Sequence, residues 1–259
     1  NVLPFDEAVD RLAAGTLPER SVAITFDDGF HDFHSAALPI LESFGYPATL
    51  YLTTYYVENR RPVFDPMCSY LLWKGRDRGR LEWPEALPGG ATLDEGGRED
   101  AVRRIGEYAL SRQMTSAEKD DLLRRLAGLL DLDYDDLCRR RVMHLMTPEE
   151  VRDSASRGVA IEMHTHRHRV YRSRRRMFAE LDDNRRRIEE YTGRTPAHFC
   201  YTGGFYLPRH VDQLREYGVR SATTCKPGVC APGENPLELP RLVDTMTMSE
   251  LEYLSWLAG

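Results

Sequence analysis

The stretch SVAITFDDG at residues 21–29 decides the fold. Residues 21–26 form a short apolar run, and Asp27-Asp28-Gly29 follows it as a turn, which predicts a β-strand that ends in two carboxylates. Short apolar runs of the same kind recur along the chain, and most are followed by a segment with helical spacing. They lie at residues 48–53, 159–163, 197–201, 219–224 and 237–243. We expect this alternation to build a parallel α/β sheet or barrel.

Length and composition narrow the class of protein. The 259 residues, 41% of them hydrophobic, suit one α/β barrel. The net charge of -6 argues against nucleic acid as a partner. The sequence contains no run of about 18 apolar residues, so it predicts no membrane span. The five irregularly spaced cysteines predict no disulfide framework. Because the sequence shows no signal peptide, we expect a cytoplasmic location in preference to export.

The alternation breaks between about residues 60 and 141. Glycine- and proline-rich pieces at 84–90 and 96–97 separate charged stretches with helical spacing, such as 116–130. No separate core pattern is visible there. We therefore expect a single domain over residues 1–259 that carries an inserted, mainly helical segment at about 60–141.

Two polar clusters follow predicted strands. Asp27 and Asp28 are adjacent carboxylates, which a cation can stabilise or which can split their pKa values so that one acts as a base. The alternative is an ordinary surface turn. The second cluster is HTHRH at 164–168, where His164 and His168 can meet one metal ion from a helical turn while His166 points elsewhere. The alternative is a polar loop.

A third cluster, FCYTGG at residues 199–204, ends a predicted strand in two glycines. Glycines let backbone N–H groups approach a ligand closely, which suits an oxyanion site, although a tight turn explains the segment equally well. Because strand ends meet on one face of a βα barrel, the three clusters can converge. Together they predict a His-His-Asp metal centre with a spare carboxylate. Three protein ligands and one open position are what a hydrolytic zinc site requires.

With TFDDG, His-Thr-x-x-His and the glycine motif in this order, the sequence resembles the polysaccharide deacetylases, the NodB homology domain or carbohydrate esterase family 4. The resemblance covers about residues 21–243. It implies a distorted (β/α)7 barrel, NodB-like, with the insertion described above. It also implies a hydrolase that removes N-acetyl groups from an N-acetylated sugar and releases acetate. The C-terminal part resembles the exopolysaccharide-type branch.

The resemblance assigns roles to individual residues. Asp27 matches the catalytic base, and the Gly203 amide, with Tyr201 close by, matches the group that binds the oxyanion. Thr165 matches the hydroxyl residue that orients the histidine loop. The metal ion is expected to be zinc, with cobalt, nickel or iron as alternatives. Its ligands are Asp28, His164 and His168.

The sequence departs from the family pattern in its later motifs. Cys200 stands where an arginine often pairs with the catalytic aspartate, and Thr202 stands where a proline is usual. We hypothesise that Arg241 replaces the missing arginine and pairs with Asp27; the alternative is a structural arginine. The usual late histidine that serves as general acid is missing. The candidates that remain are His144, His166 and His210.

Other readings of the chain stay open. It can be a related amide or formamide hydrolase acting on a non-polymeric substrate, or a degenerate member that only binds sugar. The arginine runs at 172–176 and 185–187 can steer an anionic substrate, but a solvated helix face balanced by nearby acids explains them more simply. Cys225 and Cys230 are read as coincidental thiols.

Overall fold

A computed structural model describes residues 1–244 and 248–258 of the chain. The chain divides into two compact units. The main unit consists of Asn1–Glu58 and Met146–Gly259, and the inserted unit consists of Asn59–Leu145. The three polar clusters all belong to the main unit, so the candidate site can be described within that unit alone.

The main unit is built on a parallel sheet curled into a half-barrel, which confirms the predicted α/β class. In spatial order across the sheet, the strands are β1 (Ile24–Asp28), β2 (Ala48–Leu52), β5 (Ala160–Met163), β6 (His198–Cys200) and β7 (Ser221–Thr223). The interior strand β2 has the sequence ATLYL and is buried at every position, as expected for a parallel strand covered on both faces.

Helices connect these strands, and their ends follow local sequence signals. The α-helices are α1 (Phe5–Ala14), α2 (Leu38–Phe44), α3 (Thr54–Glu58), α8 (Pro148–Ser156), α9 (Arg174–Thr192), α10 (Pro208–Tyr217) and α11 (Glu250–Ala258). Thr147 and Glu150 form a reciprocal capping box at the start of α8, with Pro148 in the first turn. Gly45 and Gly218 end α2 and α10 in the left-handed conformation. A π-helical turn at Phe33–Ala37 precedes α2.

The sheet differs from the expected seven-stranded barrel at its edges. Among the described residues it contains five strands, and an isolated parallel bridge adjoins each edge strand. One bridge joins Val2 to Val22, and the other joins Thr223 to Leu239. The predicted strand at 237–243 is therefore reduced to one bridge residue. Pro240 directly follows Leu239, and a proline cannot donate to a strand ladder.

The inserted unit is mainly helical, as predicted, but it also contains a two-stranded antiparallel hairpin. It has a hydrophobic core of its own, formed around residues such as Leu71, Trp83, Ile105 and Leu126. The expectation that this stretch has no separate core was therefore wrong, because the apolar positions of several short elements combine. These elements are α4 (Phe64–Lys74), β3 (Arg80–Trp83), β4 (Leu87–Thr92), α5 (Glu95–Ser111), α6 (Ser116–Leu129) and α7 (Tyr134–Arg139).

The glycine pair at 96–97 was expected to lie between helices but lies in the first turn of α5. The side chain of Asp94 caps this helix by accepting the Gly97 N–H at 2.8 Å. A Cβ atom at Gly97 would collide with the backbone of Thr92. Glycine is needed here for close packing of the helix start against β4, not for a turn.

The parallel register places the strand ends that carry the polar clusters side by side. Asp28 at the end of β1 pairs with Leu52 of β2, and Met163 at the end of β5 pairs with both Leu52 and Phe199. The residues that follow these strands therefore leave one edge of the sheet together. None of the helices in the described part of the chain is both long and apolar enough to cross a bilayer.

A partly buried carboxylate links β5 to the start of β6. One oxygen of Glu162, Oε2, accepts the backbone N–H groups of Ala197 and His198 at 2.8 and 2.7 Å. Burial raises the pKa of Glu162 to about 7, even though these two hydrogen bonds favour the charged form. The folded protein therefore takes up a proton on Glu162 at a higher pH than the unfolded chain does.

This shift predicts a pH-dependent contribution to stability. Because the pKa is raised on folding, the free energy of unfolding falls as the pH rises from about 4.5 to about 7. Glu162→Gln keeps an oxygen that can accept both N–H groups and removes the ionisation. In urea unfolding, we expect the free energy of unfolding of the variant, relative to that of the wild type, to increase from pH 5 to pH 8. Glu19→Gln, at an exposed position, is the control. An equal difference at both pH values would contradict this account.

Candidate metal centre

The chain turns sharply at the end of β1. Asp28 has φ +69° and Gly29 has φ +89°, so two consecutive residues take a left-handed backbone conformation. A side chain at position 29 would collide with Leu52. An aspartate with positive φ is strained and needs support from its surroundings, and such residues cluster at functional sites. The turn directs Asp27 and Asp28 to different partners.

The segment from His164 to His168 is a loop and not the helical turn that was expected. Thr165 and His168 have φ values of +61° and +55°. The Thr165 hydroxyl accepts the backbone N–H of Arg169 at 2.9 Å, which closes the loop. This contact agrees with the orienting role that the resemblance gives to Thr165. His166 points elsewhere, as expected, with its Nδ1 2.9 Å from the Thr54 hydroxyl.

Both histidines direct Nε2 at the same oxygen of Asp28. His164 Nε2 lies 3.3 Å and His168 Nε2 lies 3.1 Å from Asp28 Oδ1. Asp28, His164 and His168 each offer a ligand atom, and these atoms all lie within 4.8 Å of one another. The structure thus brings the three predicted metal ligands together from β1 and from the loop after β5.

The hydrogen bonding of His164 tests whether this group suits a cation. Its Nδ1 lies 2.8 Å from the carbonyl oxygen of Cys200 and must therefore carry the proton. In the neutral ring, Nε2 then turns a lone pair toward the Asp28 carboxylate, which is favourable only with a cation or a proton between them. A histidine fixed through its other nitrogen is the usual arrangement of a metal ligand. The residues therefore fit a divalent metal ion.

The pKa of Asp28 reflects the same surroundings. Burial opposes ionisation of this carboxyl group. When a proton rather than a metal ion lies between the groups, the protonated imidazoles of His164 and His168 donate to Asp28, outweigh burial and hold the pKa of Asp28 below its ordinary value. Asp28 is therefore an anionic ligand throughout the neutral range.

Asn184, which the sequence analysis missed, fixes the strand ends around the site. Its Oδ1 accepts the backbone N–H of His164 at 2.9 Å, and its Nδ2 donates to the carbonyl of Leu52 at 2.9 Å. Asn184 is fully buried on α9, in the helical stripe that also contains Leu181 and Ile188. A polar residue on an apolar stripe is the signal that could have identified it.

Asp27 pairs with Arg241 by two hydrogen bonds. Arg241 Nη1 donates to Asp27 Oδ1 and Arg241 Nη2 donates to Asp27 Oδ2, each at 2.8 Å. Arg241 also donates to the Thr25 hydroxyl at 3.1 Å and to the Thr224 carbonyl at 3.0 Å. The pair expected from the sequence is thus present, while its role in catalysis stays a prediction.

The thiol of Cys200 completes the surroundings of Asp27. Its Sγ lies 3.4 Å from Asp27 Oδ2 and 3.1 Å from Arg241 Nη2. Burial raises the pKa of Asp27, but the Arg241 hydrogen bonds and the positive charges of protonated His164 and of Arg241 lower it by more, so the net pKa is below the ordinary value. Asp27 is therefore ionised at neutral pH and able to accept a proton.

A second group could also hold a metal ion, since ligand atoms of Asp27, His164 and Cys200 lie within 4.8 Å of one another. Arg241 already places a cation against both Asp27 and the Cys200 sulfur. A metal ion there would be repelled by the guanidinium group. The group of Asp28, His164 and His168 is therefore the better metal site.

In the third segment, one backbone amide is left open and the polar groups of Tyr201 are engaged. Gly203 has φ +60°, is exposed, and within residues 1–244 its N–H has no hydrogen-bond acceptor. Tyr201 is fully buried, its N–H donates to Thr223 and its hydroxyl donates to the Leu237 carbonyl at 3.0 Å. Both donors of Tyr201 are engaged within the fold, and its catalytic role stays a prediction.

The candidate general acids divide between the two units. His144 belongs to the inserted unit. His166 and His210 are buried in the main unit, and Nδ1 of His210 accepts the N–H of Leu207 at 3.1 Å. Among the contacts of the described residues, neither His166 nor His210 bonds to Asp27 or Asp28, so the structure assigns the general acid to neither.

Comparison with known proteins identifies the family. Residues 14–222 match the sequence profile of the family described as polysaccharide deacetylase. The match covers most of the chain, and the chain belongs to this family. We therefore classify it as a carbohydrate N-deacetylase, a hydrolase. No curated protein matches the sequence.

Solved structures show that the fold is shared with bacterial deacetylases. IcaB from Ammonifex degensii superposes with a TM-score of 0.62 at 16% identity, covering 100% of this chain and 82% of that one. The deacetylase PplD from Streptococcus pyogenes, in complex with acetate, superposes with a TM-score of 0.61 at 15% identity, covering 99% and 79%. The deacetylase domain of BpsB from Bordetella bronchiseptica gives 0.54 at 16% identity, covering 93% and 78%. These similarities confirm the NodB-like architecture.

Loss of a metal ligand should abolish metal binding. Loss of a residue that hydrogen-bonds to a metal ligand lowers metal affinity roughly 10- to 100-fold. Asp28→Ala or His164→Ala removes one of the three ligands itself, so we expect the affinity for zinc to fall by more than this. The metal content of the purified protein, measured by mass spectrometry, is the readout. Asp32→Ala, an exposed aspartate four positions further on, should retain the ion. Full occupancy in Asp28→Ala would show that the metal binds elsewhere.

Removal of Arg241 should change both the rate and its pH dependence. Arg241→Ala deprives Asp27 of two charge-assisted hydrogen bonds, and we expect kcat/KM to fall about 10- to 100-fold. Because Arg241 lowers the pKa of Asp27, the acid limb of the pH–rate profile should move to higher pH.

The matched control is Arg215→Ala, which removes an exposed arginine paired with Asp212. It should leave the profile unchanged. An unaltered acid limb in Arg241→Ala would disprove the pairing as a functional feature.

Proposed function

We propose that this protein is a metal-dependent hydrolase that removes N-acetyl groups from an N-acetylated amino sugar and releases acetate. The observation that carries the proposal is the placement of two adjacent carboxylates in separate surroundings. Asp28 faces two histidines, and Asp27 faces Arg241. The PplD structure, solved with acetate, is consistent with this product.

The metal site requires Asp28, His164 and His168, whose donor set of two imidazoles and one carboxylate suits zinc, with cobalt, nickel or iron as alternatives. When bound, such an ion supplies Lewis acidity, which makes a water molecule acidic near neutral pH and polarises a carbonyl oxygen. Cys200 and Asn184 hold His164 through its Nδ1 and its backbone N–H, so the ring is fixed before the ion arrives.

Asp27 acts as the general base in this proposal. Its carboxylate accepts the proton of the attacking water at Oδ1 or Oδ2. Arg241 holds the carboxylate in place with two N–H groups and keeps it ionised, and the Cys200 thiol limits its rotation. A base held in one orientation needs no rearrangement when the proton is transferred.

The backbone N–H of Gly203 stabilises the negative charge that develops on the acetamide oxygen. Its positive φ and exposure leave the N–H open to a ligand, and a glycine permits close approach. Loss of one donor of this kind costs about 10²–10³ in rate.

We also propose that residues 1–259 form one NodB-like domain interrupted by the inserted unit, in the exopolysaccharide-type branch. The family match supports a single domain, since it extends through residues on both sides of the insertion. The position of Arg241, which supplies the partner of Asp27 from a late segment, supports the branch.

Analysis of the reaction products tests the proposed function. The metal-loaded protein is incubated with N-acetylated sugars in free, polymeric, nucleotide-linked and lipid-linked form, and acetate and formate are quantified. We expect acetate, with turnover that is lost on chelation and restored by zinc. Formate would indicate the related formamide hydrolase. Sugar binding without either product would indicate a binding-only protein. Undiminished turnover after chelation would disprove the metal mechanism.

A further inference from the structure

The arginine-rich runs of the main unit divide into two groups. Arg186 pairs with Asp183 and Glu190, and Arg187 pairs with Glu190 and Glu58. These side chains form the balanced, solvated helix face that was the simpler explanation. Around the start of α10 the balance is different.

Two exposed arginines near the start of α10 are not neutralised. Within residues 1–244 and 248–258, Arg172 and Arg209 make no ion pair. The two acids of α10 are already engaged, because Asp212 pairs with Arg215 and Glu216 pairs with Arg174. The start of a helix also carries a partial positive charge. The local field is therefore positive although the chain is acidic.

Gln213 fixes Arg172 against α10. Its Nε2 donates to the backbone carbonyl of Arg172 at 3.1 Å. His210 precedes Gln213 by three positions and so lies on the same face of the helix. Both Arg172 and Arg209 act on His210 electrostatically: burial lowers its pKa most, and the two guanidinium charges lower it further. The four residues form one group, which we name the α10 cluster: Arg172, Arg209, His210 and Gln213.

The α10 cluster contains buried polar atoms without partners. His210 is 1% exposed, and among the residues that the structure describes its Nε2 has no hydrogen-bond partner. Because its Nδ1 accepts the N–H of Leu207, the proton lies on Nε2, which is therefore an unused donor. Gln213 Oε1 is likewise buried, with no partner in the described part of the chain. Unpaired buried groups are costly, and a ligand that pairs with them would remove that cost.

Two segments of the chain lead from the candidate metal centre to the α10 cluster. Arg172 follows the metal ligand His168 by four residues, a span of at most about 14 Å. Phe205 follows Gly203 by two residues, is 56% exposed, and places its ring 6.4 Å from that of His210. An aromatic face beside a few convergent polar groups is typical of a ligand site. A substrate of two or three sugar units could reach from one to the other.

We propose that the α10 cluster is a substrate subsite for an anionic oxygen group, either a phosphate or a carboxylate, carried by the N-acetylated sugar. This inference rests on the proposed function, because it assigns the anion to the same substrate. Arginine provides paired N–H groups that match both anions, and His210 Nε2–H provides a further donor. The cluster would thus select charged over neutral N-acetylated sugars.

Calorimetric binding with the metal-loaded protein tests this subsite. The probes are N-acetylglucosamine, its 1-phosphate and 6-phosphate, and the N-acetylglucosamine–glucuronate disaccharide. We expect the wild type to bind at least one anionic probe roughly 10- to 100-fold more tightly than the neutral sugar. The preferred probe distinguishes phosphate from carboxylate. Equal affinity for neutral and anionic probes would overturn the proposal.

Matched variants show where the selectivity arises. Arg172→Gln/Arg209→Gln should abolish the preference while leaving binding of the neutral sugar unchanged. Arg194→Gln makes the same substitution just beyond the far end of α9, a helix of 19 residues and about 28 Å, and should keep the preference. If the anionic group of the probe bound only at the metal ion, the preference would persist in both variants. A preference that survives in the double variant, or is lost equally in Arg194→Gln, would overturn the subsite.

The binding readout separates this proposal from the proposed function. If no probe or polymer releases acetate but the arginine-dependent preference persists, the deacetylase function fails and the anion subsite stands. If acetate is released and no preference is found, the subsite fails and the function stands.

Discussion

Two carboxylates in adjacent positions leave the end of β1, and the site depends on how their charges are balanced. Without compensation, Asp27 and Asp28 would repel each other in a partly buried place. The left-handed turn at Asp28 sends them to different partners: Arg241 neutralises Asp27, and two histidines face Asp28. In the proposed mechanism, one carboxylate is thereby reserved for proton transfer, and the other for a cation.

The partners come from distant parts of the chain, and the sheet register brings them together. His164 follows β5, Cys200 ends β6, and Arg241 comes after the bridge at Leu239. Cys200 connects the two halves of the site, because its carbonyl orients His164 and its thiol contacts Asp27. Its small side chain also leaves room for Arg241 to reach the carboxylate, which explains how an arginine from a late segment can take this position.

Much of this arrangement follows from local sequence signals. Apolar runs with turn residues after them identified the main strands. Residue type with spacing predicted a His-His-Asp group, and the family resemblance placed its members at positions 28, 164 and 168, which the structure brings together. Signals of this kind fail where structure depends on distant contacts. The hairpin and separate core of the inserted unit arise from packing among short elements, and Gly97 is explained only by its closeness to Thr92. Likewise, the hydrogen bond from the Tyr201 hydroxyl to the Leu237 carbonyl joins positions that are 36 residues apart, and no local signal predicts it.

X-ray absorption at the zinc edge of the zinc-loaded protein tests the central claim most directly. The account predicts nitrogen and oxygen neighbours at about 2.0–2.1 Å, including two imidazoles, from His164, His168 and Asp28. That result would leave Asp27 free to act as the base. A sulfur neighbour at about 2.3 Å with a single imidazole would place the metal ion on Cys200 and His164 instead, and would contradict the separation of roles between Asp27 and Asp28.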